Sequence, residues 1–242
     1  MTKAPTAHPQ IMSRQEWLAA RKAHLAHEKA LTKQLDQLRA ERRRLPMVKV
    51  DKRYEFDGPL GKSALPDLFA DSFQLIVYHF MFDPDWEDGC PSCTGFVNAL
   101  GDLTALAARG ARFILVSRAP FAKLARYQAR QKWQVPWYSS FDSDFNYDYH
   151  VSFDADVAPI EHNYRNKAEL EARFGAQNLT GESQGLSVFV RLGQDVFHTY
   201  STYARGVENL SNSFSLLDVT PFGRQLAFED SPPGWPQRPT YG

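Results

Sequence analysis

Between Ser13 and Leu45 the chain carries no proline or glycine, and its apolar residues recur at helical spacing. Leu18 and Leu25, then Leu31, Leu38 and Leu45, fall seven apart, with Leu35 between. This predicts one long amphipathic helix, started by Ser13 as N-cap with Glu16 completing a capping box, and stopped by Pro46. Its leucine stripe must bury against something. Two coverings fit, the body of its own domain and the same helix of a second subunit, and the second predicts a homodimer. Further on, "FQLIVYHFMF" is a largely apolar run that contains a histidine, as expected of a central strand over 73–80 covered on both faces. A polar loop, "DPDWEDG", leads into a helix expected to run to Ala108. A second buried strand is predicted at 111–116 and a helix over 121–133. Residues 137–180 have weak periodicity and read as a long excursion with a helix near 166–174. "GLSVFVRLGQDVFHTYSTY" alternates around Gly193 and predicts a hairpin of 186–191 with 195–200. A last helical segment is predicted at 207–217. A strand–helix–strand–helix order of this kind gives an α/β fold with parallel neighbouring strands.

Composition bounds what such a fold does. Hydrophobic residues make up 43% of the 242 positions, enough for a packed core. Twenty-eight basic residues balance 28 acidic ones, so no overall field draws the chain to nucleic acid or to an anionic membrane. The basic run "ERRRLP" (41–46) reads as the solvated last turn of the first helix, where cations complement the dipole. The longest apolar run is too short to span a bilayer, and the first residues lack the pattern of a secretory signal. A cytoplasmic protein is expected, whose partners are neither nucleic acid nor membrane. Three regions are predicted: a helical extension over 1–46, the main domain over 47–228 with an insertion near 137–180, and an extended proline-rich tail over 229–242.

Only two cysteines occur, Cys90 and Cys93, two residues apart in "GCPSC". A redox pair, half of a metal site and two inert buried thiols all have to be weighed. A closed zinc site needs four ligands; there is no other cysteine, and the histidines form no HxxxH or similar short pair in the folded part. In a reducing compartment a permanent disulfide is not expected, and a bridge across so short a loop restrains the unfolded chain little. The pair lies between an apolar strand and a helix, which favours redox chemistry. At a helix entrance the unpaired N–H groups and the dipole stabilise a thiolate, making Cys90 the attacking sulfur. Pro91 suits the first helical turn. Cys93, one turn on and more enclosed, is placed to capture a mixed disulfide formed at Cys90. Asp85, Glu87 and Asp88 are expected to raise the Cys90 pKa. Trp86 reads as a wall of the site and His79, embedded in "VYHF", as a core histidine. Tyr203 and Arg205 fit a turn after a strand at least as well as a site.

"YHFMFDPDWEDGCPSCTGF", "RFILVSRAP" and "VFHTYSTYARG" together resemble the bacterial family known as domain of unknown function 899, from about Phe56 to Gly223. That family is described as dithiol–disulfide oxidoreductases of the thioredoxin superfamily. The resemblance implies a thioredoxin-like central mixed sheet flanked by helices, with a long N-terminal helix. It implies Cys90 as nucleophile, Cys93 as resolving thiol, no cofactor, and a protein or small-molecule disulfide or thiol as substrate. Substrate contacts are expected at Trp86, Gly89, Pro91 and Ser92, and at Gly185 and Leu186. The last two stand where thioredoxin-like proteins usually carry a cis-proline. No proline is present there. "FDGPLGKSALPDLF" is also similar to the opening of peroxiredoxins, but the positions three and seven before Cys90 are Glu87 and Asp83 rather than Thr/Ser and Pro. A thiol peroxidase and a non-catalytic thioredoxin-like binding module are the alternative functions.

Overall fold

Alternation on one strand divides the core of this protein into two. A computed structural model describes residues 8–175, 179–222, 224–226, 229–230 and 233–235. The chain falls into two compact units, one from its ends (Met1–Pro46 and Phe214–Gly242) and one from Met47–Ser213.

In the first unit, helix α1 (Arg14–Arg42) begins as its sequence predicts. Glu16 N–H donates to Ser13 Oγ, and Ser13 N–H donates to Glu16 Oε2 at 2.9 Å. None of its residues is buried, and Leu18, Leu25, Leu31, Leu35 and Leu38 are exposed along it. No described helix is long and apolar enough to cross a membrane. The loose segment and the tail expected at the two ends lie largely outside the described residues.

In the second unit, β1 (Val48–Lys49) precedes a hairpin of β2 (Glu55–Gly58) and β3 (Gly61–Ala64) and a 3-10 turn at Leu65–Phe69. Then come β4 (Gln74–His79), α2 (Pro91–Asn98), α3 (Thr104–Ala107), β5 (Ala111–Ser117) and α4 (Phe121–Gln131). The region after them holds β6 (Trp137–Ser139), α5 (Phe145–Asp148), β7 (Ser152–Phe153), β8 (Glu161–His162), β9 (Arg165–Asn166), α6 (Lys167–Phe174) and β10 (Gly181–Glu182). The unit closes on the hairpin β11 (Gly185–Leu192) and β12 (Asp195–Tyr203), with α7 (Arg205–Glu208) following; α8 (Asn212–Leu217) starts at its end and belongs to the first unit from Phe214 on.

Eight strands form one mixed sheet in the order β1-β12-β11-β4-β5-β6-β2-β3. β4 is parallel to β5 and antiparallel to β11, so it is central, as its unbroken apolar run predicts. The β5-β4-β11-β12 order, with a helix crossing between β4 and β5 and a closing hairpin, is the thioredoxin-like arrangement. Along β4 the side chains alternate. Leu75 and Val77 enter a cluster with Phe56, Ile114, Phe145 and Phe189, whereas Tyr78 and then Phe80 and Phe82 enter a second with Leu115, Leu124, Trp137 and Cys93.

Three expectations need correction. The helix after the cysteines stops at Asn98 instead of Ala108. Gly101 turns with φ +65°, and the Asp102 carboxylate accepts from the Thr104 N–H at 2.9 Å, starting α3 afresh. The predicted last helix over 207–217 is likewise two short pieces, α7 and α8. Residues 137–139, expected to begin an excursion, are β6, parallel to β5 and antiparallel to β2. Trp137 hides this strand from a periodicity argument: its ring packs among Phe80, Phe82, Tyr127 and Trp133 while its Nε1 donates to Ser117 Oγ at 3.0 Å.

The same region supplies Phe145, fully buried with its ring against Tyr54, Phe56 and Tyr149. Phe145→Ala should therefore lower stability by about 3–5 kcal/mol in urea unfolding, the usual cost of emptying an aromatic core site. A loss below about 1 kcal/mol would place α5 outside the core.

Candidate active site

Where β4 ends, the chain runs on beside β5 before it turns. Phe80 N–H donates to Val116 O at 2.9 Å and Ala119 N–H donates to Phe82 O at 2.8 Å, so the β4 extension stays tied to β5. Cys90 N–H donates back to Met81 O at 3.0 Å, closing the loop 82–89 into a ring that delivers Cys90 to the mouth of α2. The loop is pinned from α4: Lys123 Nζ donates to the carbonyls of Pro84 (2.7 Å) and Trp86 (3.0 Å). Gly89 is a close-approach position. A Cβ there would lie 2.5 Å from the Phe80 ring, so only glycine lets the turn sit on the strand.

Cys90 is the N-cap of α2 and Pro91 its first helical residue. Thr94 holds the Cys90 carbonyl from both its N–H (3.0 Å) and its hydroxyl (2.9 Å), and Tyr127 on α4 lies 2.8 Å from that hydroxyl. Cys90 is half-buried and Cys93 is only 1% exposed; both are free thiols. The Cys93 side chain donates to the Cys90 sulfur, helped by the N–H groups of Cys93 and Ser92 and the Ser92 side chain. Together these outweigh partial burial and hold the Cys90 pKa down to about 6. Burial, and bonding to Cys90, push Cys93 well above an ordinary thiol. One sulfur is thus an anion near neutral pH and the other a thiol. This reverses the upward pull expected on Cys90 from Asp85, Glu87 and Asp88: the groups at the helix mouth set its acidity, and Asp88 is ion-paired with Arg130 on α4.

The remaining sequence-predicted residues fall around this pair in two settings. Trp86 is 37% exposed; Pro91, next after Cys90, is exposed and Ser92 half-buried. Gly185 and Leu186 are buried at the start of β11, paired with His79 and Tyr78 of β4, and Leu186 packs in the same cluster as Cys93. The peptide before Gly185 is trans, since no cis bond occurs among the described residues. His79 is a core histidine, as its surroundings in the sequence predict. It points to the other face of β4, its Nε2 is 2.9 Å from Ser187 Oγ, and burial lowers its pKa to about 3. Tyr203 also belongs to that face, donating to Tyr149 O at 3.1 Å. No cluster of three or more His, Cys, Asp or Glu able to hold a metal occurs among the described residues.

Two neighbours of the pair escaped sequence reasoning. Tyr78 is fully buried, its ring stacked on Phe96 of α2 at 4.4 Å between centroids and sharing the apolar cluster of Cys93, whose charged form its hydroxyl favours. The same hydroxyl donates to Gln184 Oε1 at 3.1 Å. Strand alternation carries the signal for Tyr78, which shares its face with Phe80 and Phe82. Nothing local marks Gln184.

Iodoacetamide reacts with thiolate, so modification of Cys90 should rise through a midpoint near pH 6 and be flat above pH 8. A midpoint in the range of an ordinary cysteine would contradict the geometry. Gly89→Ala should cost about 1–3 kcal/mol by overpacking against Phe80 and move that midpoint upward, since the turn that presents Cys90 must shift.

Comparison with known proteins gives the family. Among curated proteins none matches the chain. Solved structures similar to it include the bacterioferritin comigratory protein of Xanthomonas campestris, studied for alkyl peroxide reduction (17% identity, 65% of this chain and 87% of that one, TM-score 0.41). Peroxidoxin BcpB of Mycobacterium tuberculosis is 13% identical over 69% of this chain and 94% of that one, with a TM-score of 0.44. The yeast mitochondrial 1-Cys peroxiredoxin is 17% identical over 77% and 84%, with a TM-score of 0.39. The family model for the bacterial proteins of unknown function DUF899 matches residues 6–241, so the chain belongs to that family.

Proposed function

We propose that this protein is a thioredoxin-like dithiol–disulfide oxidoreductase in which Cys90 attacks and Cys93 resolves. The observation that carries the reading is the division of labour between the sulfurs: a half-exposed thiolate at a helix mouth, bonded by a buried thiol one turn on. The Cys90 anion attacks one sulfur of a substrate disulfide. A Cys90–substrate bond forms, the substrate S–S bond breaks, and the departing thiolate takes a proton from water. Cys93 then gives up its proton and attacks the Cys90 sulfur. The Cys90–Cys93 bond forms and the second substrate thiolate leaves, so the enzyme dithiol is oxidised as one disulfide is reduced to two thiols. The reverse sequence oxidises a dithiol substrate.

Trp86, Pro91 and Ser92 supply the surface that substrate meets, and Gly89 holds that surface against the strand. Gly185 and Leu186 form the floor behind the pair. With a trans peptide before Gly185, substrate docking at this edge differs from that of proteins with a cis-proline there. The setting proposed is cytoplasmic, where a reductant regenerates the dithiol.

The test is a redox titration with mass-spectrometric counting of free thiols, beside incubation of Cys93→Ser with a disulfide substrate. Two thiols should vanish together in the parent, and the variant should accumulate a stable mixed disulfide at Cys90. Failure of the two sulfurs to join under mild oxidant would end this reading. Rapid peroxide consumption through a sulfenic acid at Cys90, without that disulfide, would replace it by a peroxidase.

A further inference from the structure

In the mixed disulfide the Cys90 sulfur is no longer an anion, so the Cys93 S–H loses the acceptor it has at rest. Cys93 must nevertheless become a thiolate to resolve, and it must do so inside an apolar cluster with Phe80, Phe96, Val97 and Leu186. A buried anion without hydrogen-bond donors is costly, so the rate of resolution depends on what reaches that sulfur. Two donors adjoin it: the Met81 N–H, and the hydroxyl of Tyr78, whose side chain lies in the same apolar cluster. Tyr78 is the adjustable one. Its ring is fixed, fully buried and stacked on Phe96, one helical turn beyond Cys93, but its O–H bond rotates. A phenol has one proton to donate, and in this structure it is given to Gln184 Oε1 at 3.1 Å.

We propose that Tyr78 is the positioning residue for the resolving sulfur, its hydroxyl donating to Gln184 while Cys93 is a thiol and swinging to the Cys93 sulfur as that sulfur becomes an anion. Gln184 competes for the proton and so restrains resolution. It directly precedes Gly185, at the edge assigned to substrate, so a substrate that engages the Gln184 amide would release the Tyr78 proton to Cys93. The inference rests on the dithiol exchange proposed above. The Cys93 proton leaves to solvent base, the Cys90–Cys93 bond forms, and the electron pair of the broken Cys90–substrate bond departs on the substrate thiolate. Tyr78 keeps its proton throughout and serves only as a donor.

An aromatic disulfide such as dithiobis(nitrobenzoate) separates the steps, because the first coloured thiolate is released on forming the mixed disulfide and the second on resolving it. In stopped flow, Tyr78→Phe should leave the first phase within about twofold and slow the second on the order of tenfold, the usual weight of one hydrogen bond to a charged group. Its pH midpoint for the second phase should move upward. Gln184→Met removes the competing acceptor at similar volume, so it should speed the second phase and move the midpoint downward. A folded Tyr78→Phe protein with the parent's second phase and midpoint would overturn the proposal while leaving dithiol exchange intact. If Tyr78→Phe fails to fold, Gln184→Met decides alone: acceleration supports the proposal, and an unchanged or slower second phase overturns it. A parent protein that releases one thiolate and never a second overturns both readings.

Discussion

A single proton lying between two sulfurs organises the chemistry of this protein. Cys93 holds it and Cys90 does without, because Cys93 is enclosed by apolar side chains while Cys90 faces the N–H groups of a helix entrance. Burial makes a charged Cys93 expensive, and the same burial makes its S–H an effective donor to the neighbouring anion. The two shifts, one down and one up, are therefore one interaction seen from both ends. Neither cysteine would behave this way alone.

The fold exists around this pairing in a definite sense. β4 must be central so that its extension can run on beside β5, and the face carrying Tyr78, Phe80 and Phe82 must look toward α2. Phe80 then seats Gly89 beneath the turn, and Tyr78 stacks on Phe96. A one-residue slip of β4 would present His79 to the cysteines and Tyr78 to the opposite core. The two aromatic clusters, one on each face of the sheet, hold that register: Phe145, Phe189 and Tyr149 on one side, Trp137, Trp133 and Tyr127 on the other.

Much of this was legible in the sequence because it depends on local pattern. The capping box at Ser13 and Glu16, the unbroken run of β4, the hairpin around Gly193 and α6 all have signatures that read without tertiary information. The cysteine spacing marked the site. What stayed hidden depends on contacts distant in the chain. β6 is three residues long and stabilised by sheet partners and an aromatic cluster, so no period marks it. Helix α2 ends early because Gly101 and Asp102 favour a turn, a preference that an otherwise helical composition conceals. The sign of the effect on Cys90 depends on the hydrogen bonds it receives from Cys93 and Ser92, and on Cys93 being closed off by Leu186 and Tyr78. Local charge counting sees the acids and misses the donors that folding encloses. Gln184 was invisible for the same reason: 106 positions separate it from Tyr78.

The shared proton itself can be measured through the ultraviolet absorbance of thiolate, followed across pH in the reduced protein and in Cys93→Ala. The parent should show one thiolate appearing near pH 6, with no second until well above the range of an ordinary thiol. Removing the Cys93 side chain should carry the Cys90 titration upward, because its largest stabilising contact has gone. A Cys90 titration that stays in place without Cys93, or one that begins in the ordinary thiol range in the parent, would contradict the account.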